Sequence, residues 1–380
     1  MALNQAMKTT LKNLLFASIF LISTASYAQE IYTISGSVTD EKGEPLKAAT
    51  VFLSGFKKIT ITDAQGKFRL PKVSRGTYQL AVNMLGFFPG TQNVMIRDSS
   101  VEVKVALKIK TVALEAVTIG NDKKRKEYYK LFKKNFLGVS ANAAQCEVLN
   151  PDIINFSFNK KQGVLKADTD EFLIIENKRL GYRIRYLLKA FEHNEKLNRT
   201  NYDGETSFEE LEGTNEMKKK WIENRQAAYK GSIMHFLRSV GAESTLKEGF
   251  LAHQLYQVIY TVEMDGSTTA MLTIGESPVE LGSIISARDT SFISMKFKGL
   301  YIDFDPEKAA QVDPASYVDK RKAVTLKGKA SLLKLNLEEA IVDRKGNCSD
   351  YRTFFIQGDW AGRRIGDQLP YEYEPPVQGI

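Results

Sequence analysis

The sequence predicts a multidomain chain: an N-terminal all-β, seven-stranded antiparallel sandwich, then an α+β domain rich in antiparallel strands with one prominent helix. Three observations carry this reading. Residues 30–108 alternate apolar and polar side chains, with a turn signal every ten or so residues. That is the pattern of short strands that each bury one face. A chain of 380 residues is too long for one ordinary core, so at least one further domain is expected. Across 215–240, Trp221, Arg225, Ala228, Ser232 and His235 or Phe236 recur at steps of three and four, the period of a helix.

The elements follow in order. Lys8 and Lys12 precede the apolar run LLFASIFLI (14–22), and small residues stand at Ser26 and Ala28. This is the layout of a secretory signal peptide with cleavage after Ala28, so residues 1–28 are expected to be removed and the chain exported and soluble. No cysteine lies near that position, which argues against lipid attachment there. The sandwich is placed at 29–109. Ile34, Gly36 and Val38 share a face, and DEKGEP turns the chain. Val51 and Leu53, Ile59 and Ile61, Phe68 and Leu70, then Tyr78 to Met84 and Val101 to Leu107 continue the alternation. A basic linker, 110–126, leads to the α+β domain at 127–380. There DIINFSF, GVLKADT, EFLIIEN and YRIRYLLKAFEH read as successive strands, and one helix is expected over 215–240. Later apolar runs return to strand character, and the Pro-rich end GDQLPYEYEPP is expected to lie extended over the surface.

The pieces SGSVTDEKGEPLKAATVFLSG, TDAQGKFRL and GTYQLAVNMLGF resemble the carboxypeptidase regulatory-like domain, a transthyretin-like or Ig-like sandwich. Similar domains stand at the N-termini of many TonB-dependent outer-membrane transporters of gram-negative bacteria, and LEAVTIG (114–120) resembles the short strand that follows them. About 240 residues remain, too few for a large barrel. FLGVSANAAQCEVLNP, RQAAYKGSIMHFLRSV and LPYEYEP are similar to segments of exported bacterial proteins called carboxypeptidase-like regulatory domain-containing proteins. That resemblance implies export to the periplasm or the periphery of the outer membrane, and no catalytic residue.

The residues themselves point away from catalysis. A zinc carboxypeptidase needs a His-x-x-Glu pair, but Lys196, Arg238 and Tyr256 stand three positions after His193, His235 and His253. GESPV (275–279) lacks the last glycine of a serine-hydrolase elbow, and no phosphate-binding glycine loop occurs. No cofactor and no metal are expected. Glu209–Glu210 and Glu338–Glu339 read as solvated faces. The candidate binding residues are Trp221, Arg225, Tyr229, Ser232, His235 and Arg238, which would put stacking and hydrogen-bonding groups on one helix. Core packing gives the same pattern and is the favoured reading. Phe87 and Phe88 could form an aromatic platform for a glycan or tuck into the core. Cys146 and Cys348 could form one disulfide or remain separate thiols, and separate thiols are favoured.

The formal charge of +8 is modest, and export removes contact with nucleic acid. Its densest part is KKRKEYYKLFKK (123–134). As a helix this run lines up Tyr128, Leu131, Phe132 and Phe136 opposite its lysines. It reads either as a peripheral contact with anionic lipid or an acidic partner, or as a helix docked on the second domain with its lysines in water. The docked helix is favoured. The leading functional expectation is a non-enzymatic envelope protein whose partner is another envelope protein or a cell-surface component. The alternatives are a hydrolase with a site dispersed over 140–380, and a glycan-binding module.

Overall fold

The computed structural model describes residues 31–110, 122–262, 268–288, 292–313, 315–348 and 352–376. The signal-peptide segment and LEAVTIG lie outside them. The chain folds as a multidomain, β-rich protein with several antiparallel sheets and few helices.

The first seven strands are β1 (Tyr32–Asp40), β2 (Thr50–Leu53), β3 (Ile59–Ile61), β4 (Lys67–Val73), β5 (Gly76–Asn83), β6 (Gly90–Ile96) and β7 (Val101–Leu107). They form two facing sheets, ordered β4-β1-β7 and β3-β2-β5-β6. The expected alternation holds, with Ile34, Val38, Val51, Leu53, Leu70, Tyr78, Leu80 and Val82 filling the space between them. Aspartates set the turns: Asp40 Oδ1 accepts the N–H groups of Lys42 and Glu44, and Asp63 Oδ1 those of Gln65 and Lys67. One pairing differs from an all-antiparallel sandwich. β1 and β7 run parallel, from Ile34 against Val101 to Asp40 against Leu107. The chain reaches β7 only after passing through the opposite sheet, and so arrives in the direction of β1.

Helix α1 (Asp122–Leu137) opens the next layer. It lies on a sheet of β8 (Cys146–Val148), β9 (Asn155–Asn159), β10 (Val164–Asp168), β11 (Leu173–Asn177), β12 (Tyr182–Asn194) and β13 (Arg199–Glu210). The order is β8-β11-β12-β10-β9, with β13 pairing β12. Phe132 and Phe136 of α1 are fully buried, and their rings meet Phe191 and Tyr186 at 4.9 Å each. The helix is thus docked by its aromatic face, with its lysines on the other side.

The single helix predicted over 215–240 is two: α2 (Asn215–Tyr229), capped by Thr214, and α3 (Ile233–Gly241), capped by Ser232. The break is at Gly231, whose φ of 70° is left-handed backbone that glycine adopts without a steric penalty. A β-carbon there would lie 2.6 Å from the Phe304 ring, so the glycine also makes room for that side chain.

The remaining strands are β14 (Phe250–Val262), β15 (Thr268–Gly275), β16 (Ile285–Arg288), β17 (Phe292–Met295), β18 (Gly299–Phe304), β19 (Arg321–Thr325), β20 (Ser331–Leu335), β21 (Ala340–Asp343) and β22 (Phe354–Gly358). They form sheets ordered β19-β15-β14-β18-β20-β22 and β16-β17-β21. Phe236, Phe250, Leu300, Leu333 and Trp360 make a core separate from the one under α1.

Within the described part of the terminal segment, Leu369 and Tyr373 are buried rather than laid on the surface. Leu369 and Tyr373 enter the core under α1, and the Tyr371 ring stands 5.3 Å from Phe56 of the sandwich. Tyr371 and Glu372 form a turn, closed by the Tyr373 N–H donating to Pro370 O at 2.8 Å, and the large side chains around it find pockets on both sides. Cys146 is buried in the core under α1, whereas Cys348 packs against the separate core of Phe236 and Trp360, so the two are not placed to form the disulfide considered from sequence. Burial pushes the Cys146 thiol up to about 12, which keeps it protonated and inert.

Candidate functional site

The six candidate residues are divided by the helix break. Trp221 and Arg225 of α2 fasten that helix to the turn between β11 and β12. Trp221 Nε1 donates to Lys178 O at 2.9 Å, and its ring occupies the space above Gly181 (φ 68°), where a β-carbon would lie 2.1 Å away. Arg225 donates to Leu180 O (2.7 Å) and Gly181 O (3.1 Å), with its guanidinium 3.9 Å over the Tyr182 ring. Across the break, Ser232 Oγ accepts the N–H of His235. His235 Nδ1 accepts the N–H of Gly231, so Nε2 carries the proton and donates to Glu248 at 3.1 Å.

Tyr229, His235 and Arg238 do come together. The Tyr229 ring is 4.7 Å from His235 and 5.5 Å from Tyr373, and the Arg238 guanidinium lies 5.4 Å over it. Arg238 donates to three carbonyls: Lys345 O (2.9 Å), Tyr373 O (2.8 Å) and Tyr371 O (3.1 Å). Its work is to hold the C-terminal strap. These contacts make the cluster a brace between elements; the groups that could have met a ligand meet backbone instead.

The other two histidines are committed in the same way. His193 Nδ1 is 2.9 Å from Thr200 Oγ1, and His253 Nδ1 donates to Gly275 O at 3.0 Å. Burial lowers the pKa of all three histidines, that of His253 to about 4. The folded state therefore holds neutral imidazoles that the unfolded chain would protonate below about 6.5. This stabilisation is present above that pH and is lost as the pH falls towards 4. For His253 it amounts to about 2 kcal/mol between pH 7.5 and 5. Urea unfolding at the two pH values should show His253→Gln narrowing the acid loss by about that much. An unchanged difference would show that His253 is not held neutral.

Among the described residues, two grooves stand out. One, of about 990 Å³, is an open trough beside Tyr301, Phe304 and Lys329. Its acids Asp305 and Asp303 approach Lys308 at 2.7 and 3.9 Å. The deep enclosure that a dispersed hydrolase site requires is not found there. The other, of about 570 Å³, lies where the sandwich meets the β12–β13 sheet, and it is the candidate site. Ile59 and Ile61 of β3 form one wall, 38% and 64% exposed, and Phe172 and Phe208 belong to the other. Ion pairs Lys57–Glu210 (3.0 Å) and Arg185–Glu209 (2.7 Å) rim it. Partial burial raises the Glu210 pKa, but the Lys57 hydrogen bond and the nearby Arg225 outweigh it and hold the carboxylate below its usual range. An ionised, paired acid beside apolar walls suits binding rather than proton transfer. Among the described residues no group of His, Cys, Asp and Glu is placed to hold a metal ion. Phe88 is half-exposed with Lys110 near its ring, while Phe87 packs on the sandwich core.

The groove keeps its shape because the sandwich is bound firmly to the body. Gly55 N–H donates to Thr206 O, Phe208 N–H to Phe56 O, and Tyr371 N–H to Gly55 O, all within 3.1 Å. The Lys57 N–H lies 3.0 and 3.1 Å from the two carboxylate oxygens of Glu372. Lys345 Nζ reaches Arg75 O, and Asn347 Nδ2 reaches Thr77 O. None of these contacts was legible in the sequence, since their partners stand from 151 to 316 residues apart.

Residues 34–119 match the CarboxypepD_reg-like domain family, as the sequence motifs implied. No curated protein matches the chain. Among solved structures, a type II cohesin–X-dockerin complex of Acetivibrio cellulolyticus is 20% identical, with TM-score 0.20, covering 26% of this chain and 72% of that one. A 3-chlorocatechol 1,2-dioxygenase of Rhodococcus opacus is 11% identical, with TM-score 0.19, covering 22% of this chain and 62% of the enzyme. A proposed carbohydrate-binding protein of Pseudomonas aeruginosa is 15% identical, with TM-score 0.17, covering 23% and 93%. Likenesses this low transfer no activity. The regulatory-like sandwich and the engaged polar side chains fit a non-enzymatic interaction module.

Proposed function

We propose that this chain is an exported protein of the gram-negative envelope, in the periplasm or peripheral to the outer membrane. In this reading its sandwich is an interaction and positioning module, accessory to an outer-membrane transport or surface system. The reading rests on one observation above all: the sandwich is fixed to the body and presents an apolar strand edge, Ile59 and Ile61, over the junction groove. A rigid mount of this kind orients a partner without acting on it. The leader pattern of residues 1–28 supports export. The partner is an envelope protein or a cell-surface component.

The test is mild crosslinking in envelope fractions, with the mature N-terminus read by mass spectrometry. The expected product begins at Gln29 and carries a reproducible crosslinked partner. Ile61→Glu should abolish that crosslink while changing stability by no more than about 0.5 kcal/mol, as befits an exposed position. A product that keeps Met1 or Met7 in the cytosol overturns the placement. A crosslink indifferent to Ile61→Glu overturns the role of the groove.

A further inference from the structure

Helix α1 carries seven lysine and arginine residues against two acids over 122–134, a net +5 of the formal +8 of the chain. Its fold position explains only part of this. Arg125 is used internally, donating to the carbonyls of Ile154, Pro151 and Asp152 and lying 5.6 Å over the Phe156 ring. Lys124, Lys126, Lys130 and Lys134 are exposed and make no described ion pair. Lys126, Lys130 and Lys134 repeat at four-residue steps, so they stand in one row and repel one another. Lys123 and Lys124 add positive charge to the first turn, where the helix dipole disfavours it. Each placement weakens the helix locally, and neither serves the packing of Phe132 and Phe136.

The neighbouring sheet edge continues the same surface. Tyr128 stacks 5.4 Å from Phe158 of β9, and the outward residues of that strand, Asn155, Ser157 and Asn159, are exposed and uncharged. The turn after it adds exposed Lys160 and Lys161. From Lys123 to Lys134 the row runs about 17 Å along the helix. All the large apolar groups of α1 face inward, so this surface lacks the apolar centre on which a stable protein interface depends. Attraction here comes from charge alone, which suits a flat, multivalent array of phosphates.

The geometry points to the lysine row of α1 as a docking surface for a bilayer rich in anionic phospholipid. The helix is held to the protein by its aromatic face and to the membrane by its lysines, with no side chain inserted into the hydrocarbon. Contact of this kind is reversible and weakens with salt, because screening shortens the reach of each charge.

The test uses vesicle co-sedimentation of the chain from Gln29 onward, which retains every described residue and removes the basic apolar leader. Binding is expected to vesicles containing about 30% phosphatidylglycerol, to fall steeply between about 50 and 500 mM NaCl, and to be absent on pure phosphatidylcholine. K126E/K130E/K134E should weaken it by about tenfold or more, with an unchanged circular dichroism spectrum. K218E/K219E, on the exposed face of α2, should leave it intact. Equal binding to neutral vesicles, no binding to anionic ones, or a triple variant that binds like the parent overturns the proposal. So does a duplex oligonucleotide that displaces the vesicles at equal phosphate.

Discussion

Arg238→Ala is expected to lower the unfolding free energy by about 3 kcal/mol or more in urea titrations. The estimate follows from what the side chain leaves behind. Its removal strands the carbonyls of Lys345, Tyr371 and Tyr373 in a nearly closed space, and each buried, unpaired carbonyl costs about 1–3 kcal/mol. Arg238→Lys should recover less than half, because three donors on one nitrogen cannot reproduce a planar fork aimed at separate acceptors. Limited proteolysis would localise the effect, with cleavage after residue 368 becoming fast in the alanine variant. A loss under about 1 kcal/mol, or an unchanged digestion pattern, would refute the bracing role.

Phe136→Ala should cost about 3–5 kcal/mol, the range for emptying a fully buried aromatic site. The ring is in contact range of Phe132, Tyr186 and Tyr202. Ile222→Ala, on the exposed side of α2, should stay within about 0.5 kcal/mol and serves as the matched control. The measurement also bears on the membrane proposal, because α1 can present its lysines only while its aromatic face stays docked. If Phe136→Ala proved nearly neutral, the helix would not be seated as described.

The sandwich was legible because most of its strands obey one simple rule, apolar inward and polar outward; β3 is the exception, with Ile59 and Ile61 exposed. The strands between 152 and 193 were legible for the same reason, as in the alternation of Tyr182, Ile184 and Tyr186 along β12. Strand β13 escaped, since only Glu205 to Phe208 of its RTNYDGETSFEE is buried and the rest reads as loop. The break at Gly231 was hidden inside an unbroken helical period, and a single glycine there is compatible with either outcome. The terminal LPYEYEP misled in another way. Its prolines read as extended backbone, but residues 371–372 form a turn, and sequence could not show that Tyr371 and Tyr373 have pockets waiting for them. Of the candidate residues, Tyr229, His235 and Arg238 come together, while Trp221 and Arg225 pack on the turn between β11 and β12. The partners of Arg238, carbonyls more than a hundred residues away, could not be read from spacing.

The strap also sets a timetable. Gly55, Lys57 and Arg238 emerge long before the groups they hold, Tyr371 to Tyr373. The sandwich can close on its own strands early and meet Thr206 and Phe208 next, but its attachment is complete only once Tyr371 and Glu372 are in place. A nonsense codon shortly ahead of Leu369 would release a product whose sandwich keeps its Thr206 and Phe208 contacts but lacks those to Tyr371 and Glu372.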